Sequence, residues 1–267
     1  MGNAASAATT HPSASLATEQ VGAVFTIGLN RPAKRNALND GLMEEIQHCF
    51  SHLPEGTGAV VLHGLGDHFS AGLDLSELRE RDATAGLQHS QMWHRVFDKI
   101  QYCRVPVIAA LKGAVIGGGL EMACAAHIRV AEPSAYYALP EGTRGIFVGG
   151  GGSVRLPRLI GVARMADMML TGRVYSASEG VTHGFSQYLT EEGGAFAKAM
   201  ELASRVASNA PLTNFAVLQA LPLIAEANPQ TGLLMESLMA TVAQSDNEAK
   251  LRIRSFLEHK TAKVRPV

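Results

Sequence analysis

The stretch from residue 105 to 130 limits the possible folds more than any other part of the chain. It is apolar throughout, apart from Lys112, Glu121, His127 and Arg129, and is broken by Gly113 and the triplet Gly117-Gly118-Gly119. Those polar residues make it too polar to span a bilayer, so it must lie inside a protein core. The glycines divide it into a strand over 106–111, a turn, a buried helix over 120–126 and a second strand over 128–131. A carboxylate, Glu121, thus stands at the start of a buried helix, where unpaired N–H groups and the helix dipole give a partial positive charge. Taken alone, such a glutamate ordinarily just stabilises the dipole.

The flanking sequence predicts more strands and helices in alternation. Ala23, Phe25, Ile27 and Leu29 alternate as one face of a half-buried strand, which Asn30-Arg31-Pro32 ends. From Asn39 onward, Leu42, Met43, Ile46, Cys49, Phe50 and Leu53 have helical spacing. Residues 59–62 read as a buried strand ending at Gly64, and 67–74 as a loop whose Asp74 or Ser76 can cap the next helix. Met92, Val96 and Ile100 mark another helix. After residue 162 only helical periodicities remain, over 165–170, 196–207, 212–225 and 233–242, with a last helix through Leu251 and Leu257. This layout predicts a leader over 1–20, an α/β core over 21–195 and a helical region over 196–267. Periodicity leaves open whether the core is a doubly wound sheet or a stack of ββα turns.

Composition narrows the function classes. A chain of 267 residues buries roughly three quarters of its unfolded surface, so it needs neither disulfides nor metal to fold. The net charge of −1 offers no global field for nucleic acid or an anionic membrane. Cys49, Cys103 and Cys124 form no C-x-x-C pair and no zinc spacing, so reduced thiols and a cytoplasmic location are expected. The leader carries no Lys or Arg, which speaks against a signal or transit peptide. Its first six residues, Met1-Gly2-Asn3-Ala4-Ala5-Ser6, fit the loose myristoylation pattern, although a disordered run of small residues is the plainer reading.

Motif tests are mostly negative. There is no P-loop, no dinucleotide fingerprint, no G-x-S-x-G elbow and no H-E-x-x-H pair. What remains is a constellation of two carboxylates and two small-residue turns. Leu139-Pro140-Glu141 sets a second acid twenty residues after Glu121, and Phe69-Ser70-Ala71-Gly72-Leu73-Asp74 supplies another turn with free N–H groups. The run Gly149 to Gly152 reads as tight packing, and Arg31, Lys34 and Arg35 as a solvated turn, one of which could instead meet phosphates.

With these residues in view, the sequence closely resembles the crotonase (enoyl-CoA hydratase/isomerase) superfamily over about residues 24–260. The markers are Leu29-Asn30-Arg31-Pro32, Asn36-Ala37-Leu38, Phe69-Ser70-Ala71-Gly72-Leu73-Asp74-Leu75, Gly117-Gly118-Gly119-Leu120-Glu121, Pro140-Glu141 and Ser255-Phe256-Leu257-Glu258, in that order. The resemblance implies an α/β fold, a spiral of ββα units with a C-terminal helical trimerisation region. It implies an acyl-CoA thioester substrate, no separate cofactor or metal (coenzyme A being part of the substrate), and a homotrimer or dimer of trimers. It places the catalytic acids at Glu121 and Glu141 and the oxyanion hole at the amides of Ala71 and Gly118. Substrate contacts are implied at Ala71, Gly72, Leu73, Asp74, Gly118 and Lys34.

Keeping both acids favours an enoyl-CoA hydratase, since hydration needs one group to activate water and another to protonate the α-carbon. Three positions depart from the common pattern and are expected beside the acyl pocket: Gly142 with Arg144 behind it, Phe147-Val148, and His127. They leave open an aromatic or branched acyl group, and isomerase, hydrolase or hydratase-lyase chemistry. A non-catalytic RNA-binding homologue is disfavoured, because the chain has no Lys/Arg cluster.

Overall fold

The computed structural model describes residues 15–77 and 80–258, which form two compact units divided after Ala207. In the first unit, a six-stranded sheet has the order β1 (Leu16–Val21), β2 (Val24–Leu29), β3 (Ala59–Gly64), β4 (Val107–Leu111), β6 (Ile128–Ala131) and β9 (Tyr188–Leu189). Only the β1–β2 pair is antiparallel. A smaller sheet holds β5 (Ala114–Ile116), β7 (Tyr136–Ala138) and β8 (Tyr175–Ser176). The chain feeds one strand to the large sheet and the next to the small sheet, as β4 then β5 and β6 then β7. The helices are α1 (Asp40–Ser51), α2 (Ala83–Gln101), α3 (Gly118–Ala125), α4 (Gly152–Ile160), α5 (Val162–Thr171), α6 (Ala177–Thr182) and α7 (Ala195–Ala207). This is the stack of ββα turns rather than a doubly wound sheet.

Three expectations are corrected. Residues 16–20, expected in the leader, belong to β1, with Leu16 opposite Leu29 and Val21 opposite Val24; residues 1–14, with the myristoylation pattern, lie outside the described residues. β2 is buried on both faces, not one. Phe25, Ile27 and Leu29 join the core formed with α1, α2 and α3, while Val24 faces a second core with Val61, Ile108 and Val130. That second core is closed by Ala195, Ala199, Leu202 and Ala203 of α7, whose small side chains let the helix lie close on the sheet. The helical region therefore begins after α7, not at residue 196.

The second unit contains α8 (Pro211–Phe215), α9 (Leu221–Glu226), α10 (Pro229–Ser245) and α11 (Asn247–Leu257), with a single π-type turn between α8 and α9. Among the described residues, no helix is long and apolar enough to cross a membrane.

One polar residue fixes the turn that leads to the site. Asn36 is fully buried and sits in the left-handed region at φ 54°, which asparagine tolerates better than most residues. Its Oδ1 accepts from Arg31 N–H, and its Nδ2 donates to the carbonyls of Leu65 and His68. Its own carbonyl accepts from Ser70 Oγ at 2.8 Å. Replacing Asn36 with alanine takes the side-chain partner from three partly buried backbone groups and puts alanine in a disfavoured backbone conformation. Asn36→Ala is expected to cost about 3–5 kcal/mol, read as a lowered urea midpoint with an unchanged m-value.

Candidate active site

A cavity of about 460 Å³ opens between the 71–75 strip, α2, the β5–α3 junction and the 140–150 segment. Both expected acids line it, as do Ala71, Leu73 and Gly118. Gly117 makes the junction possible. Its φ of 53° suits glycine alone, and a β-carbon there would stand 2.6 Å from Glu141 Oε1.

The backbone donors differ from expectation at one position. Ala71 N–H donates to the Arg35 carbonyl at 2.9 Å, so it is already occupied and cannot serve an oxyanion. Gly72 N–H goes to Ser70 Oγ, and Asp74 N–H to the Leu38 carbonyl. Leu73 and Leu38 form a parallel bridge, in which the groups on either side of Leu73 are used and its own N–H faces the other way. Among the described residues, the amides of Leu73 and Gly118 have no acceptor within the protein. Gly118 is the first residue of α3, one of the positions whose N–H has no partner in the helix. The two strips touch, since a side chain on Gly72 would begin 3.1 Å from the Gly118 nitrogen. The pair of available donors is therefore Leu73 and Gly118, replacing Ala71 and Gly118.

Glu121 is 3% exposed. Its Oε1 accepts from the amides of both Gly150 and Gly152 at 2.8 Å, while neither amide holds Oε2. These glycines are required by contact. A β-carbon on Gly150 would lie 2.7 Å from the Phe97 ring, and one on Gly152 would lie 2.8 Å from Glu121 Cγ. The 149–152 run, read from sequence as packing alone, thus binds the acid. Burial pushes the Glu121 carboxyl up to about 7; the two amides pull it down, the Glu141 charge pushes it up and the Arg155 charge pulls it down. Glu141 follows Pro140 at the start of a single 3₁₀ turn, Gly142–Arg144. Burial raises its pKa too, against its own backbone amide and the charge of Arg144. Its Oε2 is buried and takes no hydrogen bond from the protein.

The remaining expected contacts divide. Asp74 is 4% exposed and does not line the cavity. Ser76, Lys34 and Arg31 all donate to it, and these bonds hold its carboxyl well below the usual range. It is an internal anchor behind the cavity wall, and Gly72 also lies behind the lining. Lys34 stands outside the cavity, its ammonium on Asp74 and Ser76. Of the departures from the common pattern, Arg144, Phe147 and Val148 line the cavity, but His127 and Gly142 do not. His127 Nδ1 accepts from Val107 N–H, so Nε2 carries the proton and donates to the Gln101 carbonyl. Burial lowers its pKa to about 4, which keeps it neutral. Gly142 packs on the Met169 carbonyl, which a β-carbon would strike. The sequence reading missed Ser90 and Trp93 of α2, which complete the wall. The Trp93 ring lies against Gly118, and its Nε1 is buried without a partner. Among the described residues no group of His, Cys, Asp and Glu could hold a metal ion.

The raised Glu121 pKa ties stability to pH. The folded state holds this proton more tightly than the unfolded chain, whose value is 4.5. Its contribution is complete below about 4.5 and is lost as pH rises through 7. Glu121→Gln keeps the shape and an acceptor for the two amides but cannot ionise. It should therefore gain on the wild type between pH 5 and 8, by up to ~3 kcal/mol, in urea unfolding at the two pH values.

The profile of the Enoyl-CoA hydratase/isomerase family matches residues 19–265. The short-chain-enoyl-CoA hydratase of Clostridium acetobutylicum is 31% identical over 243 residues, 90% of this chain and 93% of that protein. The 2,3-dehydroadipyl-CoA hydratase of Escherichia coli K12 is 33% identical over 242 residues, 89% of this chain and 93% of that one. Among solved structures, a proposed enoyl-CoA hydratase from Rhodopseudomonas palustris CGA009 is 81% identical. It superposes with a TM-score of 0.91, covering 97% of this chain and all of that one. The profile spans nearly the whole chain and the fold agrees, so the protein belongs to the enoyl-CoA hydratase/isomerase family.

Proposed function

We propose that the protein is an enoyl-CoA hydratase, adding water across the 2,3 double bond of an enoyl-CoA thioester. The observation that carries the reading is the pairing of two acids on one cavity with two unoccupied amides. Glu121, poised near neutral pH and held through Oε1, is the base; Oε2 takes a proton from water. The hydroxide adds to the β-carbon, and the electron pair moves to the thioester oxygen, where the amides of Leu73 and Gly118 meet the negative charge. Glu141, its carboxyl raised towards the protonated form by burial, delivers a proton to the α-carbon. A proton then passes from Glu121 back to Glu141 to restore both acids, whose titrations are coupled. The steps are proton transfers and one conjugate addition to a polarised thioester, with no net oxidation or reduction, so the proposed hydration calls for no nicotinamide or flavin and no metal. The acyl group enters a lining that includes Phe147, Val148 and Trp93; the free thiols of Cys49, Cys103 and Cys124 support our reading of a cytoplasmic location.

Glu121→Gln and Glu141→Gln are each expected to lower turnover of a 2-enoyl-CoA by about 10²–10⁴. The double variant should fall little further, because the acids act as a unit. Equal turnover by wild type and both variants overturns the assignment; loss in Glu141→Gln alone, with double-bond migration retained, makes the protein an isomerase.

We also propose that the second unit joins copies of the chain into a trimer or a dimer of trimers. Its support is the apolar surface of α10 and α11, where Leu233, Leu234, Leu238, Leu251, Phe256 and Leu257 are all more than half exposed, more than an isolated helical unit ordinarily leaves uncovered. Light scattering at micromolar concentration should give three or six chain masses; a monomer refutes the assembly.

A further inference from the structure

The peptide unit between Gly149 and Gly150 carries two groups that point in opposite directions, as in any trans peptide. Its N–H donates to Glu121 Oε1 at 2.8 Å, and its C=O accepts from Ser90 Oγ of α2 at 2.7 Å. Both residues are glycine, so no side chain resists rotation of this unit. A flip would withdraw the N–H and turn a carbonyl towards the carboxylate. The serine hydroxyl has a single proton, and Gly149 O receives it; His94 Nε2 lies 3.4 Å from Ser90 Oγ.

The neighbouring peptides have their own restraints. Gly150 O accepts from Arg155 Nη1 at 2.9 Å, and Arg155 is tied to α2 through Asp98 and Gln101. The unit bearing the Gly152 amide is anchored by its carbonyl, Gly151 O, which accepts from the Val154 and Arg155 amides in the first turn of α4. For the Gly149–Gly150 unit, Ser90 is the group that grips the carbonyl.

We propose that Ser90 is a positioning residue for Glu121: by donating to Gly149 O it latches the Gly149–Gly150 peptide with its N–H towards the carboxylate. The latch is a property of the free protein, and only its effect on turnover rests on the hydratase reading. Glu121 is faced by the Gly150 and Gly152 amides, by the charge of Glu141 from the Pro140 segment and by that of Arg155 from α4. On its own helix stands the Cys124 thiol, which burial pushes up to about 12 and so keeps neutral. Loosening the Gly150 amide removes one of the groups that favour the ionised form and leaves the others. The carboxyl then titrates at higher pH, and a reaction that needs it as a base loses rate first on the acid side.

The test is a ¹³C NMR titration of protein labelled at the glutamate carboxyls. The Glu121 signal is identified by its loss in Glu121→Gln. Ser90→Ala is expected to raise the Glu121 midpoint by about 0.5–1 pH unit, and Ser90→Thr, which keeps the hydroxyl, to restore it. With a four-carbon 2-enoyl-CoA, the acid limb of the kcat profile should move in the same direction while KM stays within about twofold. An unchanged midpoint in Ser90→Ala overturns the latch. So does an unchanged midpoint with a raised KM, which would make Ser90 a substrate contact instead. If the wild type turns over no thioester, the hydratase reading fails, and the NMR midpoint still decides the latch.

Discussion

The buried carboxylate of Glu121 sets the terms for everything around it. Removing an ionised carboxyl from water costs several kcal/mol even after the protein relaxes, and charge-assisted hydrogen bonds return about 1.5–3 kcal/mol each. Two such bonds to Oε1 nearly offset the burial, which is why the group is pushed only to about 7. Each further donor would lower the value, and each donor lost would raise it. The amides must also approach closely enough that residues 150 and 152 have no room for a side chain. A glycine loop, a helix behind it and the Arg155 tie to α2 all follow from that single buried charge.

The opposite wall of the cavity depends on a second polar centre. Asn36 closes the turn after β2 and accepts Ser70 on its carbonyl, while Asp74 collects Arg31, Lys34 and Ser76. Between these two anchors the strip 70–73 has no freedom to rotate. Its alternate peptides are committed to Arg35 and Leu38 on one side, so the Leu73 amide is left for the cavity. Charged residues that looked like ligand contacts in the sequence are the means by which an uncharged donor is aimed.

How much of this the sequence reveals depends on the distance over which each feature is decided. Glu121, Glu141 and Gly118 were expected at the site through the family resemblance, whose markers are local patterns, a glycine turn at a helix start or a proline-set corner, and all three line the cavity. The choice between Ala71 and Leu73 was not legible, because adjacent amides in an extended strip point in opposite directions and the register is fixed by Leu38, far away in the chain. The role of Gly150 and Gly152 was hidden for the same reason, since their acceptor lies 29 and 31 residues earlier. β2 read as half-buried because nothing near it in sequence announces that α7 covers its other face. His127 looked like a pocket residue by its place after α3, yet it bonds across to Val107 and Gln101 instead.

The site is divided between a rigid part and an adjustable one. Gly118 and Glu121 belong to one buried helix, three residues or about 4.5 Å apart along its axis, so a free amide and a cavity carboxyl move only together. Glu141 and the amides that hold Glu121 belong to the single segment from 140 to 152, which is rich in glycine and partly exposed. Any shift of that segment therefore changes two things at once, the placement of Glu141 and the hydrogen bonds that favour an ionised Glu121. The two carboxyls are coupled through this one backbone segment, because it cannot move Glu141 without altering the amides on Glu121. The restraints on that segment, Ser90 and Arg155 on its carbonyls and Pro140 at its start, therefore set the spacing and the hydrogen bonding of both carboxyls together.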